Sequence, residues 1–283
     1  MQVRQFVKTG IWSTAIVGGL LGLTATATSA ATYHLDFDTD GFGNPLIDST
    51  GGDPTGIGSQ WQNWGLSISA TNKAGSAQRP LLLFDSNPNG FTGGDADLRT
   101  GAPWGTEVQN KVLIIHEDGF LPNGSIKNSN DPDDDANGGI ISFNFDNPVD
   151  ISDIKLLDLD DFGRRGQYVQ FAGYDIGGNQ IAFSEFDEAA LADSTRVKNL
   201  SSTGETGDNS LYEFALSYQK IARLDVLYPG SGAIAGLKWS DRDSQDIPEP
   251  MAAAGLLAVG ALGLRLRHRR SSDALPEAAS EEG

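Results

Sequence analysis

The sequence predicts an all-β protein whose folded part is a single β-sandwich of jelly-roll type, flanked by segments that address it rather than fold with it. Three observations carry this. Short apolar and aromatic runs recur at 33–37, 64–68, 81–84, 112–115, 140–145, 154–159, 168–174, 180–186, 211–216, 221–228 and 234–239, separated by stretches rich in Gly, Pro, Asn, Asp and Ser. Branched and aromatic side chains suit a pleated, half-buried surface, so these runs favour strand. Trp64-Gly65-Leu66-Ser67-Ile68 alternates as a sheet with one wet face requires. Only 185–193 reads as helix, through Glu188-Ala189-Ala190-Leu191-Ala192, and strands without intervening helices point to packed sheets rather than βαβ units.

Between the strands at 168–174 and 180–186, Asp175-Ile176-Gly177-Gly178-Asn179 predicts a hairpin, because its glycines can take positive φ. The connections at 41–60, 87–110 and 117–139 are long and hold most of the acidic clusters. Long loops without secondary structure are uncommon in compact domains unless they carry function or are disordered, so function is expected on them.

Both ends of the 283-residue chain read as addresses. Arg4 and Lys8 precede an apolar stretch at 11–23, and Thr28-Ser29-Ala30 offers a small-residue cleavage site. This is the order of a secretory signal peptide over 1–30, and the apolar stretch falls short of the ~20 residues that span a bilayer. The predicted division is a signal peptide at 1–30, a β-sandwich at 31–240 and a polar linker at 241–247. A tail follows at 248–283.

Lys and Arg number 20 against 38 Asp and Glu, a formal charge of −18. Such a field repels nucleic acid and is compatible with divalent cations, which would relieve the self-repulsion. There is no cysteine, which excludes thiol catalysis and thiolate metal sites.

The tail has three parts: Pro248-Glu249-Pro250, an apolar helix at 251–264, and Arg265, Arg267, Arg269 and Arg270 within the basic cluster at 265–270. At 1.5 Å per residue the helix is about 21 Å long, so its flanks must be recruited for it to span. The arginines stay cytoplasmic by the positive-inside rule, which places the domain outside, as the signal peptide also requires. An acidic stretch, 271–283, follows.

This arrangement over 247–270 resembles the PEP-CTERM sorting signal of Gram-negative bacteria, the substrate of exosortase transpeptidases. The resemblance implies passage through the Sec translocon, cleavage by signal peptidase, and exosortase processing near Pro248–Pro250. It further implies delivery to the cell surface, extracellular matrix or medium of exopolysaccharide-producing species. Phe84-Asp85-Ser86, Gly93-Gly94-Asp95-Ala96-Asp97-Leu98, Val112-Leu113-Ile114-Ile115 with Glu117-Asp118, and Asp131-Pro132-Asp133-Asp134 with Gly138-Gly139 are similar to a recurrent ectodomain of that family with no assigned activity. This implies an extracellular β-domain and supplies no catalytic residues.

Asp36, Asp38 and Asp40, followed by Gly41, open like a D-x-D-x-D-G calcium loop, in which alternate aspartates converge on one cation. The twelfth position is Ile47 rather than Glu, so an EF-hand is excluded, while closure by Asn44 or Asp48 stays open. Asp131, Asp133, Asp134 and Asp135 form a second cluster whose mutual repulsion a hard cation would neutralise. Asp158, Asp160 and Asp161 end another strand, and Asp241 follows the last. By analogy with carbohydrate-binding jelly rolls, a calcium ion could join Asp36 to Asp241. The alternative for each cluster is solvated surface charge.

Trp61, Trp64, Trp104 and Trp239 are candidate sugar-stacking residues, and Trp104, within Gly101-Ala102-Pro103-Trp104-Gly105, is the best loop-borne one. No G-x-S-x-G or H-E-x-x-H occurs, and His34 and His116 are the histidines of the central region. The expected function is that of a non-enzymatic surface or matrix protein with a calcium-supported sandwich. Alternatives are a carbohydrate-binding module attached to exopolysaccharide and a secreted polysaccharide hydrolase or lyase.

Overall fold

The structure is a computed structural model that describes residues 30–46, 57–89, 95–159, 168–202 and 208–241. Most of the segment expected as a signal peptide, most of the expected linker, Pro248, Glu249 and Pro250, the apolar stretch expected as a helix, the arginine cluster and the acidic tail lie outside the described residues, as do Asp48, Asp160 and Asp161. Among the described residues no helix is long and apolar enough to cross a membrane.

The described chain is all-β. Its strands are β1 (Thr32–Leu35), β2 (Leu66–Thr71), β3 (Gln78–Arg79), β4 (Leu81–Asp85), β5 (Lys111–Ile115), β6 (Gly139–Leu157), β7 (Val169–Tyr174), β8 (Gln180–Phe186), β9 (Val197–Asn199), β10 (Leu211–Tyr228) and β11 (Ala233–Asp241). They form one 11-stranded antiparallel sheet, with the order β4-β5-β11-β6-β10-β7-β8 and the remaining strands on side branches.

Two long strands organise it. The runs expected at 140–145 and 154–159 join into β6, and those at 211–216 and 221–228 join into β10. Both pairs were expected as separate strands because polar residues interrupt the apolar pattern at Asp146-Asn147-Pro148 and Ser217–Lys220. Those interruptions are bends. The β6–β10 register shifts at Ala215/Tyr218, Tyr218/Ile221 and Ile221/Arg223, and Ser217 and Lys220 take positive φ of 52° and 62°. Extra residues on one strand bend it and raise its twist. Pro148, which has no N–H for a ladder, sits in the break between Asn144↔Arg223 and Val149↔Ile221.

The bends give each long strand two sets of partners. The first half of β6 pairs with β2, from Leu66↔Phe145 to Thr71↔Ile140. The second half pairs with β11, from Asp241↔Val149 to Ala233↔Leu157. On the far side β10 takes β9 and then β7. One apolar cluster collects residues from both sets, including Ile68, Phe143, Val226 and Phe171 with Leu35, Ile151, Phe214 and Trp239. Burying each such side chain contributes about 1.5–3 kcal/mol.

Trp61, Trp239, Phe143, Phe145, Phe171, Phe186, Tyr212 and Phe214 sit in that core. Trp239 stacks on its cross-strand partner Tyr33 at 5.1 Å and 11°, and meets Phe145 at 5.5 Å and Trp64 at 6.1 Å. Trp61 is fully buried against Phe37 and donates its indole N–H to Thr39 O at 2.9 Å. Of the one or two helical turns expected at 185–193, a single 3-10 turn forms at Ala190–Ala192, and β8 runs to Phe186. The alanines favour helix, but the segment is too short to offset the cost of helix nucleation. The β7–β8 hairpin forms as expected, with Gly178 at φ 79° and Asp175 accepting from the Asn179 N–H at 2.8 Å.

Candidate metal centre

Strand ends and two connections build one acidic site. The polar chain after β5 is fastened to the sheet by backbone bonds: His116 and Asp134 form an isolated antiparallel bridge, and Asp135 N–H donates to Ile115 O at 2.8 Å. This turns the Asp134 side chain toward the β10–β11 connection. There its carboxylate accepts from Ser231 Oγ at 2.8 and 3.0 Å and from the Gly232 N–H. Gly232 is the residue that permits the approach. It takes φ +137°, and a Cβ there would lie 2.4 Å from Tyr228 Cε1 and 2.9 Å from Asp158 O.

Asp158 comes from the end of β6. It takes φ 60°, is 1 % exposed, and donates its N–H to Ser210 O at 2.9 Å. Asp95, half-buried, arrives from the connection between β4 and β5. Each of Asp95, Asp134 and Asp158 offers one carboxylate oxygen, and the three oxygens lie within 4.8 Å of one another. Oxygens bound to a calcium ion at about 2.3–2.6 Å are at most about 5 Å apart, so this spacing fits a shared hard cation. An all-oxygen set favours calcium or magnesium over zinc or copper.

The electrostatics agree with that chemistry. Asp134 is pushed up to about 8 from 3.8, first by burial and then, against its stabilising bonds to Gly232 and Ser231, by Asp95. Burial beside Asp95 thus favours a protonated carboxyl in this pair, and a cation bound there would compete with that proton. Asp133 is raised by burial and by the charges of Glu117, Asp95 and Asp131. The Tyr228 hydroxyl is fully buried, raised by burial, Asp158 and Asp134, and donates to Ala233 O. It stays a neutral donor beside the acids.

The sequence-based ligand sets are largely dispersed. Asp134 of the Asp131–Asp135 cluster and Asp158 of the strand-end cluster enter the site, while Asp131 and Asp133 are not among its three carboxylates. The expected convergence of Asp36, Asp38 and Asp40 does not occur. Asp36 accepts from Asp38 N–H at 3.0 Å, and Asp38 accepts from Lys111 N–H at 3.2 Å and Asn110 Nδ2 at 2.9 Å. Asp40 accepts from Phe42 N–H, Asn44 N–H and Asn44 Nδ2 at 2.8–2.9 Å, and the bonds to Asn44 hold its carboxyl below the usual range. Their oxygens are spent on three separate pieces of chain.

The expected Asp36–Asp241 pairing also fails. β1 and β11 do pair, yet antiparallel, with Leu35 opposite Leu237 and Asp241 N–H donating to Ala31 O. Asp36 and Asp241 thus stand beyond opposite ends of the ladder, with about 16 Å of strand between them at roughly 3.3 Å per residue. Asp241 accepts instead from the Tyr33 hydroxyl at 3.1 Å.

Of the tryptophans, Trp61 and Trp239 are buried and offer no face to a sugar. Trp104 is half-buried in the 3-10 turn Ala102–Trp104. His116 is fully buried, with Nδ1 3.0 Å from Asp133 O and Nε2 2.8 Å from Lys127 O, which makes it a fastener of the acidic loop.

Asp95 and Asp158 were not grouped with Asp134 by sequence. Asp158 does carry a signal: an acid between Leu156-Leu157 and Leu159, within an apolar run, implies a buried charge that needs a partner. Comparison with protein-family models, curated proteins and solved structures finds no match to this chain. What the fold and the site define is a class: an all-β protein in which three carboxylates, two of them buried, meet beside the end of a central strand.

Proposed function

We propose that this chain is an exported, non-enzymatic surface or matrix protein whose domain is a jelly-roll-like β-sandwich stabilised by one calcium ion. The observation that carries the calcium reading is the convergence of Asp95, Asp134 and Asp158, two of them almost fully buried. Burying carboxylates together is costly unless a proton or a cation neutralises them. The sandwich reading is supported by the two partner sets of β6 and β10, which share one core.

Export rests on the two ends of the sequence. The signal peptide directs the chain to the Sec translocon and signal peptidase, and Pro248-Glu249-Pro250 with its helix and arginines directs it to exosortase. Thermal unfolding tests the ion: millimolar Ca²⁺ raises the melting temperature and a chelator lowers it, because a ligand of the folded state alone stabilises that state. Identical melting curves in the two conditions would remove calcium from the reading. Mass spectrometry of the protein from its producing cell tests the tail, since sorting requires the loss of 271–283.

A second reading, a carbohydrate-binding module that attaches to exopolysaccharide, is favoured by a polar cleft beside the acidic loop.

A further inference from the structure

The β2–β3 hairpin and the loops after β5 and before β6 enclose a cleft of about 470 Å³, within the range of small-ligand sites. Its walls are polar, with Lys73 and Arg79 contributed by the hairpin and Glu117, Asp135 and Asn137 by the loops. The cations are anchored. Arg79 Nη2 donates to Glu117 O at 2.6 Å, to His116 O at 3.3 Å, and to the Asp135 carboxylate, while Lys73 Nζ donates to Pro229 O. Asp135 is held in turn by Asn137, which donates to it through N–H at 2.9 Å and Nδ2 at 3.1 Å. Groups fixed in this way lose little freedom when a ligand arrives.

The Glu117 carboxylate differs: it is exposed and forms no hydrogen bond or ion pair among the described residues. It stands as an acceptor in a cleft whose other charged groups are cationic donors and an occupied carboxylate. An anionic ligand would meet Glu117 and Asp135, a cationic one would meet Lys73 and Arg79, and an apolar one would desolvate them all. A neutral vicinal diol meets none of these costs. Each hydroxyl can donate to a carboxylate and accept from an ammonium or guanidinium at the same time.

We propose that this cleft binds the vicinal diol of a neutral sugar residue, with Glu117 as acceptor and Lys73 and Arg79 as donors. This rests on the carbohydrate-binding reading and is independent of the calcium ion. The test is isothermal titration and saturation-transfer NMR on the full-length chain. The probes are D-mannose, D-galactose, D-glucose and, as a zwitterionic control, glycine, each in Ca²⁺ and in chelator. At least one hexose binds saturably, and Glu117→Ala weakens it at least tenfold. Glu107→Ala, an exposed change outside the cleft, leaves affinity unchanged. Saturable hexose binding that Glu117→Ala does not alter overturns the cleft assignment while leaving a carbohydrate-binding module. Binding of none of the hexoses, or of glycine in their place, overturns both. Melting curves of the two variants matching the parent show that a lost affinity is not a lost fold.

Discussion

Asp134 and Asp135 are consecutive, yet their carboxylates serve different neighbours: Asp134 accepts from Ser231 and Gly232, and Asp135 pairs with Arg79. One loop thereby closes the acidic centre with one residue and builds the cleft wall with the next.

The pH dependence of stability follows from Asp134. Its pKa rises from 3.8 to about 8 on folding, so between these values the folded chain holds a proton that the unfolded chain has released. The stability from this group is fully present below the usual carboxylate range, declines as pH rises, and is lost once pH passes about 8. Melting temperatures in chelator should fall across that window. Saturating Ca²⁺, which replaces the proton, should flatten the fall, and apparent Ca²⁺ affinity should rise with pH over the same range. A chelated protein whose stability rises from pH 5 to 8 would contradict this.

The two aspartate sets make opposite predictions in a calcium titration. Asp158→Asn should abolish the Ca²⁺-dependent rise in melting temperature, a rise worth about 2.7 kcal/mol at a hundredfold excess over Kd. Asp38→Ala removes the acceptor of Lys111 N–H and Asn110 Nδ2, and should cost about 1 kcal/mol while leaving the calcium response intact. The reverse pattern would return the ion to the D-x-D-x-D-G segment.

Gly232→Ala should destabilise the protein by about 2–4 kcal/mol, through unfavourable φ and the clash with Tyr228 and Asp158. Denaturant unfolding measures it. Gly178→Ala is the control, since its added Cβ meets nothing within 4 Å and only its φ of +79° is strained.

Trp239→Ala should cost about 3–5 kcal/mol, because its ring fills the space between Tyr33, Trp64 and Phe145. Loss of the near-ultraviolet circular dichroism of this cluster should accompany it. Trp104→Ala, half-buried in a surface turn, should cost less.

Much of the strand pattern was legible because it is local. Alternation at Leu66 and Ile68, and the Asp175–Asn179 turn, record which side chains face the core and where the chain reverses, although Trp64, read into the same alternation, sits in a 3-10 turn before the strand. The fusion of two pairs of runs into β6 and β10 was not legible. A bulge looks like a loop in sequence when its polar residues interrupt the period, and only the partner strand reveals that pairing resumes. The short β3 and β9 carry too few residues for any period to register.

By itself the sequence determined the β class, the acidic character and the absence of thiol chemistry, since each is a property of composition or of neighbouring residues. Which aspartates meet was decided only by the tertiary structure. Asp36, Asp38 and Asp40 have the spacing of a cation loop, but their oxygens satisfy nearby donors. Asp95, Asp134 and Asp158 have no common spacing and converge because the β4–β5 connection, the β5–β6 connection and the end of β6 come together in space. Carboxylate repulsion acts through space, and sequence distance does not measure it.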